Sequence, residues 1–487
     1  MAKLSKIKLI VGNQDKKTSK MLEEELNLKD SFQKKMPAGG SEANSFDCKE
    51  AWYPVHYLED LDKSKPTAFT VLEKDIVIWW DRLAQSWRSF EDQCPHRLAP
   101  LSEGRISDEG LLECPYHGWA FSGDGNCQRI PQQVKGGTAE MSKRACVASL
   151  PTIENLGLLF VYVGEYENAA KTEVPMIEPL EESLEGWVLI NTFRDVPYDA
   201  LTLLENILDP SHISFTHHKT VGNRANAGPL ELEVIESGKH GFKGIWKQGL
   251  QPRQSGELST TFVAPCLMWH DINSPRGRIL TVVYATPIRK GECRVFARFP
   301  FKFPNKLPGL FIKLRPRWYY HIGQNGVLED DQIFLHYQER YLEAKGGSPN
   351  FTKAFYLATK ADSFVFEFRQ WVKQYNAEPF GNATFSPPLA KSALLERYHS
   401  HTQKCASCSS ALAIIEQMKF WSGVAAVVTM ACAPMLILFF NRTSVLAEVI
   451  ETIAPLIFGV AWIGLSKLQR QFYDGRTVPP RNRPEKN

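Results

Sequence analysis

Cys94-Pro-His96 and Cys114-Pro-Tyr-His117 each place one thiol and one imidazole on a short loop, with 17 residues between them. Two such loops supply two thiolates and two neutral imidazoles. That is the set that holds a 2Fe–2S cluster with two Cys on one iron and two His on the other, at a higher potential than an all-Cys cluster. Zinc accepts the same donors, but its sites usually pair like with like, as Cys-x2-Cys followed by His-x3-His, so the mixed loops favour iron and sulfide. A second constellation lies in Glu205-Asn206-Ile-Leu-Asp209-Pro-Ser-His212-Ile-Ser-Phe-Thr-His217, where two histidines stand five apart and a carboxylate precedes the first by three. Two imidazoles and one distant carboxylate form the facial triad of non-haem Fe(II), which leaves positions open for O2 and a co-substrate. On an unbroken helix, Asp209 and His212 would share a face. The same histidines, with His218, would read as surface or capping residues if they stood alone. The run Glu329-Asp330-Asp331 offers the remaining carboxylate, although either Asp also suits a helix N-cap. Electron transfer needs the two irons close together, and a carboxylate hydrogen-bonded to a ligand imidazole on each side is a natural link, which points to His117, Asp209 and His212.

The elements that must carry these residues follow from hydrophobic patterning. From Trp52 to Val163, short apolar runs such as Ala68 to Leu72, Ile76 to Trp80 and Leu158 to Val163 alternate with Gly/Asp turns, the pattern of a small antiparallel β domain. Beyond it, Leu201 to Leu208 reads as a helix, Glu231 to Tyr284 and Arg294 to Phe301 as strands, and Asp331 to Leu342 as a further helix, giving an α+β class overall. The expected division is a flexible tail over 1–45, an iron–sulfur domain over 46–165, a catalytic domain over 166–395, a Cys-x2-Cys linker over 396–418, a membrane hairpin over 419–468 and a basic tail over 469–487. Phe420 to Phe440 is 21 residues without a charge, enough at ~1.5 Å per residue to span a ~30 Å hydrocarbon core. Val445 to Leu465 is a second apolar run after the Asn441-Arg442-Thr443 connection, with Glu448 and Glu451 in its first turns. It reads as a second crossing or as an interfacial or buried helix. Lys404, Lys419, Lys467, Arg470 and Arg476 flank the pair against Arg442 in the turn, so both termini are expected on the cytoplasmic or stromal side.

Bulk composition excludes several classes. With 57 basic and 54 acidic side chains the net charge is +3, which gives no electrostatic footprint for nucleic acid. Ten cysteines in 487 residues are too sparse for a disulfide scaffold and suit metal or redox chemistry in a reducing compartment. The N-terminal apolar stretch Ile7 to Val11 is broken by Lys8 and too short for a secretory signal, and Asp15, Glu23, Glu24, Glu25 and Asp30 are unlike a transit peptide.

The stretches Cys94-Pro-His-Arg-Leu-Ala-Pro-Leu-Ser-Glu-Gly-Arg105, His117-Gly-Trp-Ala-Phe121 and Asp209-Pro-Ser-His-Ile-Ser-Phe-Thr-His-His218 resemble the Rieske non-haem iron oxygenases. The tail Arg397-Tyr-His-Ser-His-Thr-Gln-Lys-Cys-Ala-Ser-Cys408, leading into two apolar runs, is similar to the pheophorbide a oxygenase branch, which also holds the chloroplast-envelope Rieske protein of the import complex and protochlorophyllide- and chlorophyllide-oxidising relatives. The resemblance implies a helix-grip catalytic domain, a Rieske 2Fe–2S cluster on Cys94, His96, Cys114 and His117, and a mononuclear Fe(II) on His212, His217 and Asp331. In this register Asp331 is preferred to Asp330, although His336 stands where the pattern has Glu. Asn206 and Asp209 match the family's Asn-x2-Asp, with Asp209 as the bridging acid. The resemblance further implies reduced ferredoxin as donor, O2, a chlorophyll-derived tetrapyrrole, and a homotrimer whose relay crosses between subunits. The setting implied is a thylakoid, plasma or plastid envelope membrane with the head on the cytoplasmic or stromal side. Cys405 and Cys408 would be a thioredoxin-addressable dithiol; a zinc site with His399 and His401, or a pair of spectator thiols, are the other readings. The rival functional class is a membrane-anchored Rieske electron carrier or redox sensor without oxygenase turnover, and a zinc-binding structural protein is a more distant one.

Overall fold

The computed structural model describes residues 45–181, 183–248, 257–381, 383–439 and 445–484. The expected N-terminal tail and the Asn441-Arg442-Thr443 connection lie outside these, as do the side chains of Glu448 and Glu451.

Three small antiparallel sheets form the first unit. One joins β1 (Trp52–Tyr57), β11 (Leu158–Tyr162) and β10 (Thr152–Asn155); a second joins β2 (Thr67–Val71), β3 (Lys74–Asp81), β4 (Ser86–Glu91) and β9 (Ser149–Leu150). The third is made of short strands, β5 (Arg105–Ile106), β6 (Leu112–Glu113), β7 (Ala120–Phe121) and β8 (Cys127–Arg129), and carries the two Cys/His loops. The continuous apolar run in β3 buries Ile76, Val77, Ile78 and Trp79 on both faces, so Val77 and Trp79 pack with Phe90, Leu112 and Phe121 beneath the loops.

The second unit is a seven-stranded antiparallel sheet in the order β12 (Trp187–Val196), β18 (Glu292–Lys302), β17 (Gly277–Arg289), β16 (Leu267–Ser274), β15 (Glu257–Val263), β14 (Gly241–Gln248), β13 (Glu231–Gly238). Helices α1 (Ala200–Leu208) and α3 (Ser363–Gln374) pack on it, and the 28-residue α2 (Arg317–Ala344) runs beside β12. Helix α2 begins well before the expected Asp331. Gly323 and Gly326 weaken the helical pattern of its first half, and the acidic pair that resembles a cap lies mid-helix.

Asp209 corrects another expectation, because it does not share a helical face with His212. Pro210 disfavours the α conformation for the residue before it, so Asp209 is extended at φ −97°, ψ 93° and closes α1; a 3-10 turn over Pro210–His212 follows.

Two long helices, α4 (Ala406–Phe439) and α5 (Val445–Tyr473), pack against each other at the C-terminal end. Among the described residues one helix segment, Ala406–Cys432, is long and apolar enough to cross a membrane. Both ends of the helix pair are tied to the head. The Ala406 N–H donates to the Asp60 carboxylate at 2.9 Å, and beyond α5 the Gly475 N–H donates to the Leu395 carbonyl at 2.8 Å.

Candidate active site

The two Cys/His loops have the same backbone construction. The Cys94 N–H donates to the Ala99 carbonyl (2.9 Å) and the Leu98 N–H returns to Cys94 O (2.8 Å); the Cys114 N–H donates to Trp119 O (2.8 Å) and the Gly118 N–H returns to Cys114 O (3.1 Å). In each loop the fourth residue after the Cys is left-handed, Leu98 at φ 60° and Gly118 at φ 71°. The turns bury both cysteines and bring the His96 and His117 rings to 4.5 Å between centroids, with Trp119 stacked on His96. His117 Nδ1 is buried without a hydrogen-bond partner. An imidazole nitrogen left bare beside two buried thiols is free to take a metal, so these four residues fit a Rieske cluster. The histidine edge lies at the surface, ringed by exposed Leu98 and Tyr116.

At the second site, His212 Nε2 and His217 Nε2 lie 3.3 Å apart, and Asp331 Oδ2 is 3.2 Å from His217 Nε2. Asp331 Oδ1 is 3.9 Å from His212 Nε2. These edges approach the ~3 Å expected of neighbouring donors on an ion with bonds of about 2.1 Å. Asp331 Oδ1 is buried with no hydrogen-bond partner, as a metal-facing oxygen would be. The donor set fits a mononuclear iron, and of the two candidate acids it is Asp331 that meets both imidazoles.

The surrounding groups orient this triad. His212 Nδ1 donates to the Asp209 backbone carbonyl and not, as the sequence suggested, to its carboxylate, because the carboxylate turns to cap the next turn and accepts from the Ser211 N–H at 2.8 Å. Asp330 Oδ2 lies 3.5 Å from His217 Nδ1 and accepts from Thr220 Oγ1 at 2.8 Å. Burial pulls the His217 pKa down, but Asp330 and Asp331 outweigh it and push it up to about 9. Glu329 lies in a buried ion network, taking Arg194 Nη1 at 2.9 Å and Arg397 Nε at 2.6 Å. Asn206 is buried on α1, and Gln338 donates to Glu205 Oε1 at 3.0 Å. His336 bridges backbone groups instead, donating from Nδ1 to Pro197 O and accepting the Leu389 N–H at Nε2.

Sequence reasoning did not find His270, which donates from Nε2 to the Ile207 carbonyl at 2.9 Å and is kept neutral by burial, its pKa pulled down to about 4. Nor did it find that Arg476 and Arg481 reach back to Asp330 from beyond the last helix. His399 is exposed and hydrogen-bonds Glu396, so it takes no part in a site with Cys405 and Cys408.

The Rieske [2Fe-2S] domain model matches residues 51–153, and the model for pheophorbide a oxygenase matches residues 262–349, the stretch holding Asp331. Pheophorbide a oxygenase of Oryza sativa subsp. japonica is 39% identical over 77% of this chain and 75% of its own. The chain belongs to the pheophorbide a oxygenase family of Rieske oxygenases. Flavonoid 8-hydroxylase 2 of Ocimum basilicum is 33% identical over 76% of the chain and 74% of its own. Dicamba monooxygenase bound to dicamba shares the fold, with a TM-score of 0.54 and 22% identity, over 68% of this chain and 99% of that one. As a member of this family the chain is an iron–sulfur oxygenase, with a Rieske cluster and a mononuclear iron as its cofactors.

Proposed function

We propose that this chain oxygenates a chlorophyll-derived tetrapyrrole of the pheophorbide type at a chloroplast membrane, with reduced ferredoxin as donor. The observation that carries the reading is the convergence of His212, His217 and Asp331 in a chain 39% identical to the rice enzyme. The cluster supplies electrons and the mononuclear iron supplies the site where O2 is reduced. The chain's own residues set the geometry. The Asp209 carbonyl accepts from the outer nitrogen of His212 and Asp330 Oδ2 stands 3.5 Å from that of His217, while both Nε2 atoms face the Asp331 carboxylate.

The relay we infer runs from His117 of one subunit through Asp209 to His212 of the next in a homotrimer, with Asn206 beside it on α1. Exposed Leu98 and Tyr116 around the cluster and exposed Phe215 and Val221 around the mononuclear site offer two complementary apolar faces for that contact. Leu98 holds a left-handed conformation that costs a non-glycine residue roughly 1–2 kcal/mol, and strain of this kind collects at functional surfaces.

The catalytic domain is read as helix-grip, and α4 with α5 as a two-helix membrane hairpin. Support comes from the attachment of both ends to the head and from exposed Phe420, Trp421, Val427, Leu456, Ile457 and Val460 along the pair. A membrane-held head suits a macrocycle that partitions into lipid. The stromal face of a thylakoid or envelope membrane is the expected setting, since the relatives are chloroplastic.

The test is O2 uptake and product analysis with reduced ferredoxin over pheophorbide a, chlorophyllide, protochlorophyllide and a flavone. Turnover of pheophorbide a coupled to O2 supports the reading. Turnover of the flavone alone would move the chain to the chemistry named for the basil relative.

A further inference from the structure

Outside the catalytic machinery, four metal-binding side chains converge where the head meets α4. His321, His401, Cys405 and Cys408 are all buried, and their donor atoms lie within 4.8 Å of one another. His321 comes from the first half of α2, His401 and Cys405 from the segment before α4, and Cys408 from the first turn of α4. His401 Nε2 is 3.1 Å from His321 Nδ1 and 3.3 Å from Cys408 Sγ; His321 Nδ1 is 3.5 Å from Cys405 Sγ and 3.4 Å from Cys408 Sγ.

The outward nitrogens decide how the imidazoles are used. His321 Nε2 donates to the Asn191 carbonyl at 2.8 Å, and His401 Nδ1 donates to the Phe193 carbonyl at 2.5 Å, both on β12. Each ring therefore carries its proton on the outside and aims a lone pair inward. Two bare nitrogens 3.1 Å apart repel unless a cation sits between them and the sulfurs. A tetrahedral ion with bonds of about 2.3 Å to sulfur and about 2.0–2.1 Å to nitrogen has N···N edges of about 3.4 Å and N···S edges of about 3.5 Å. The observed edges lie within a few tenths of an ångström of these. Backbone carbonyls that hold the far nitrogens of ligating histidines are the usual second layer of such sites.

We propose that His321, His401, Cys405 and Cys408 bind one zinc-class divalent ion in a closed S2N2 site, which fastens the base of α4 to α2 and β12. Binding displaces the two thiol protons, and the thiolates offset the charge of the ion. With every donor supplied by protein and buried, no position is left for substrate, so the ion is structural. The same burial closes the two sulfurs to a protein reductant in the folded chain.

The experiment uses the full chain in detergent, measuring zinc and iron per chain, the Rieske EPR signal, and zinc-edge X-ray absorption. Expected are about one zinc beside about three irons, and a shell of two sulfurs and two nitrogens. A full iron count excludes zinc misplaced at Cys94 and Cys114. Cys405→Ser with Cys408→Ser, and separately His321→Ala, should lose the zinc while the Rieske signal persists; His399→Ala should keep it. Absence of zinc from protein made in its presence, a Cys405–Cys408 disulfide in the native chain, or zinc retained in the double variant overturns the proposal. If the double variant does not fold, the absorption shell of the unaltered chain and the zinc content of His399→Ala decide it.

Discussion

Asp330 and Asp331 are neighbours with different work, because on a helix successive side chains are about 100° apart and only one of them can face the two imidazoles. Asp331→Ala removes a donor and should abolish mononuclear iron while leaving the Rieske EPR signal intact. Asp330→Ala should weaken that iron by ~10 to 100-fold, because its carboxylate is the charge 3.5 Å behind His217 Nδ1 in the layer around the ligands. Iron retained per chain against increasing chelator separates the two variants; equal losses would mean that the ligand assignment is wrong. Asp209→Asn tests the relay. Its carboxylate caps Ser211, a bond that an amide oxygen can also accept, so both metal centres should stay loaded. Reoxidation of the chemically reduced cluster by substrate and O2 should nonetheless slow by at least ~10-fold. Reoxidation at the parent rate in fully loaded Asp209→Asn would remove Asp209 from the electron path.

Elements were legible in the sequence where the informative residues lie close together along it. The pairs Cys94/His96, Cys114/His117 and His212/His217 are each local, and their spacing alone announced the chemistry. The start of α2 was hidden because Gly323 and Gly326 dilute its pattern, and the break at Asp209 because a 3.6-residue count takes no notice of Pro210. His321 could not be paired with Cys405 from sequence, since the contact exists only once α2, β12 and α4 have packed. Packing also makes the ion cluster on β12. Asp195 accepts from Arg294 Nε at 2.5 Å on β18 and from Lys404, next to Cys405. Burial by itself would raise the Asp195 pKa, but Arg294 and then Lys404 outweigh it and hold it at about 2. An acid depressed in the folded state stabilises above its ordinary value near 3.8, and that contribution disappears as pH falls from about 4 to about 2. Asp195→Asn should therefore cost ~3–5 kcal/mol at neutral pH, because it leaves Arg294 buried without its partner. The gap between variant and parent in denaturant unfolding should narrow in acid below about pH 4, whereas a constant gap would mean that the charge is not what matters.

At the scale of the whole molecule, the chain leaves the head at Cys405, passes through both long helices, and comes back to the iron site. Its basic end, which reads in the sequence as a topological signal, is a clasp. Arg476 Nη2 lies 3.4 Å from Asp330 Oδ1, and Arg481 Nη1 donates to Asp330 O at 2.6 Å and to Thr216 O at 3.0 Å, bridging the helix of Asp331 to the turn of His217. Gly326 permits the approach, because a Cβ there would stand 2.8 Å from Arg476 Nη2. The helix pair is thus the connection that delivers two arginines to the catalytic centre. A chain ending at Asp474 keeps every metal ligand, both long helices and the Gly475-independent contacts of α4. It should hold its Rieske cluster with an unchanged EPR signal, yet bind mononuclear iron ~10 to 100-fold more weakly, because Asp330 and the His217 turn lose their common brace. Arg481→Gln in the full chain should show a smaller loss in the same direction, since Arg476 remains. If the shortened chain retains its third iron under the same chelator challenge as the parent, the C-terminal segment merely rests on the site, and the two histidine turns are held by α1 and α2 alone.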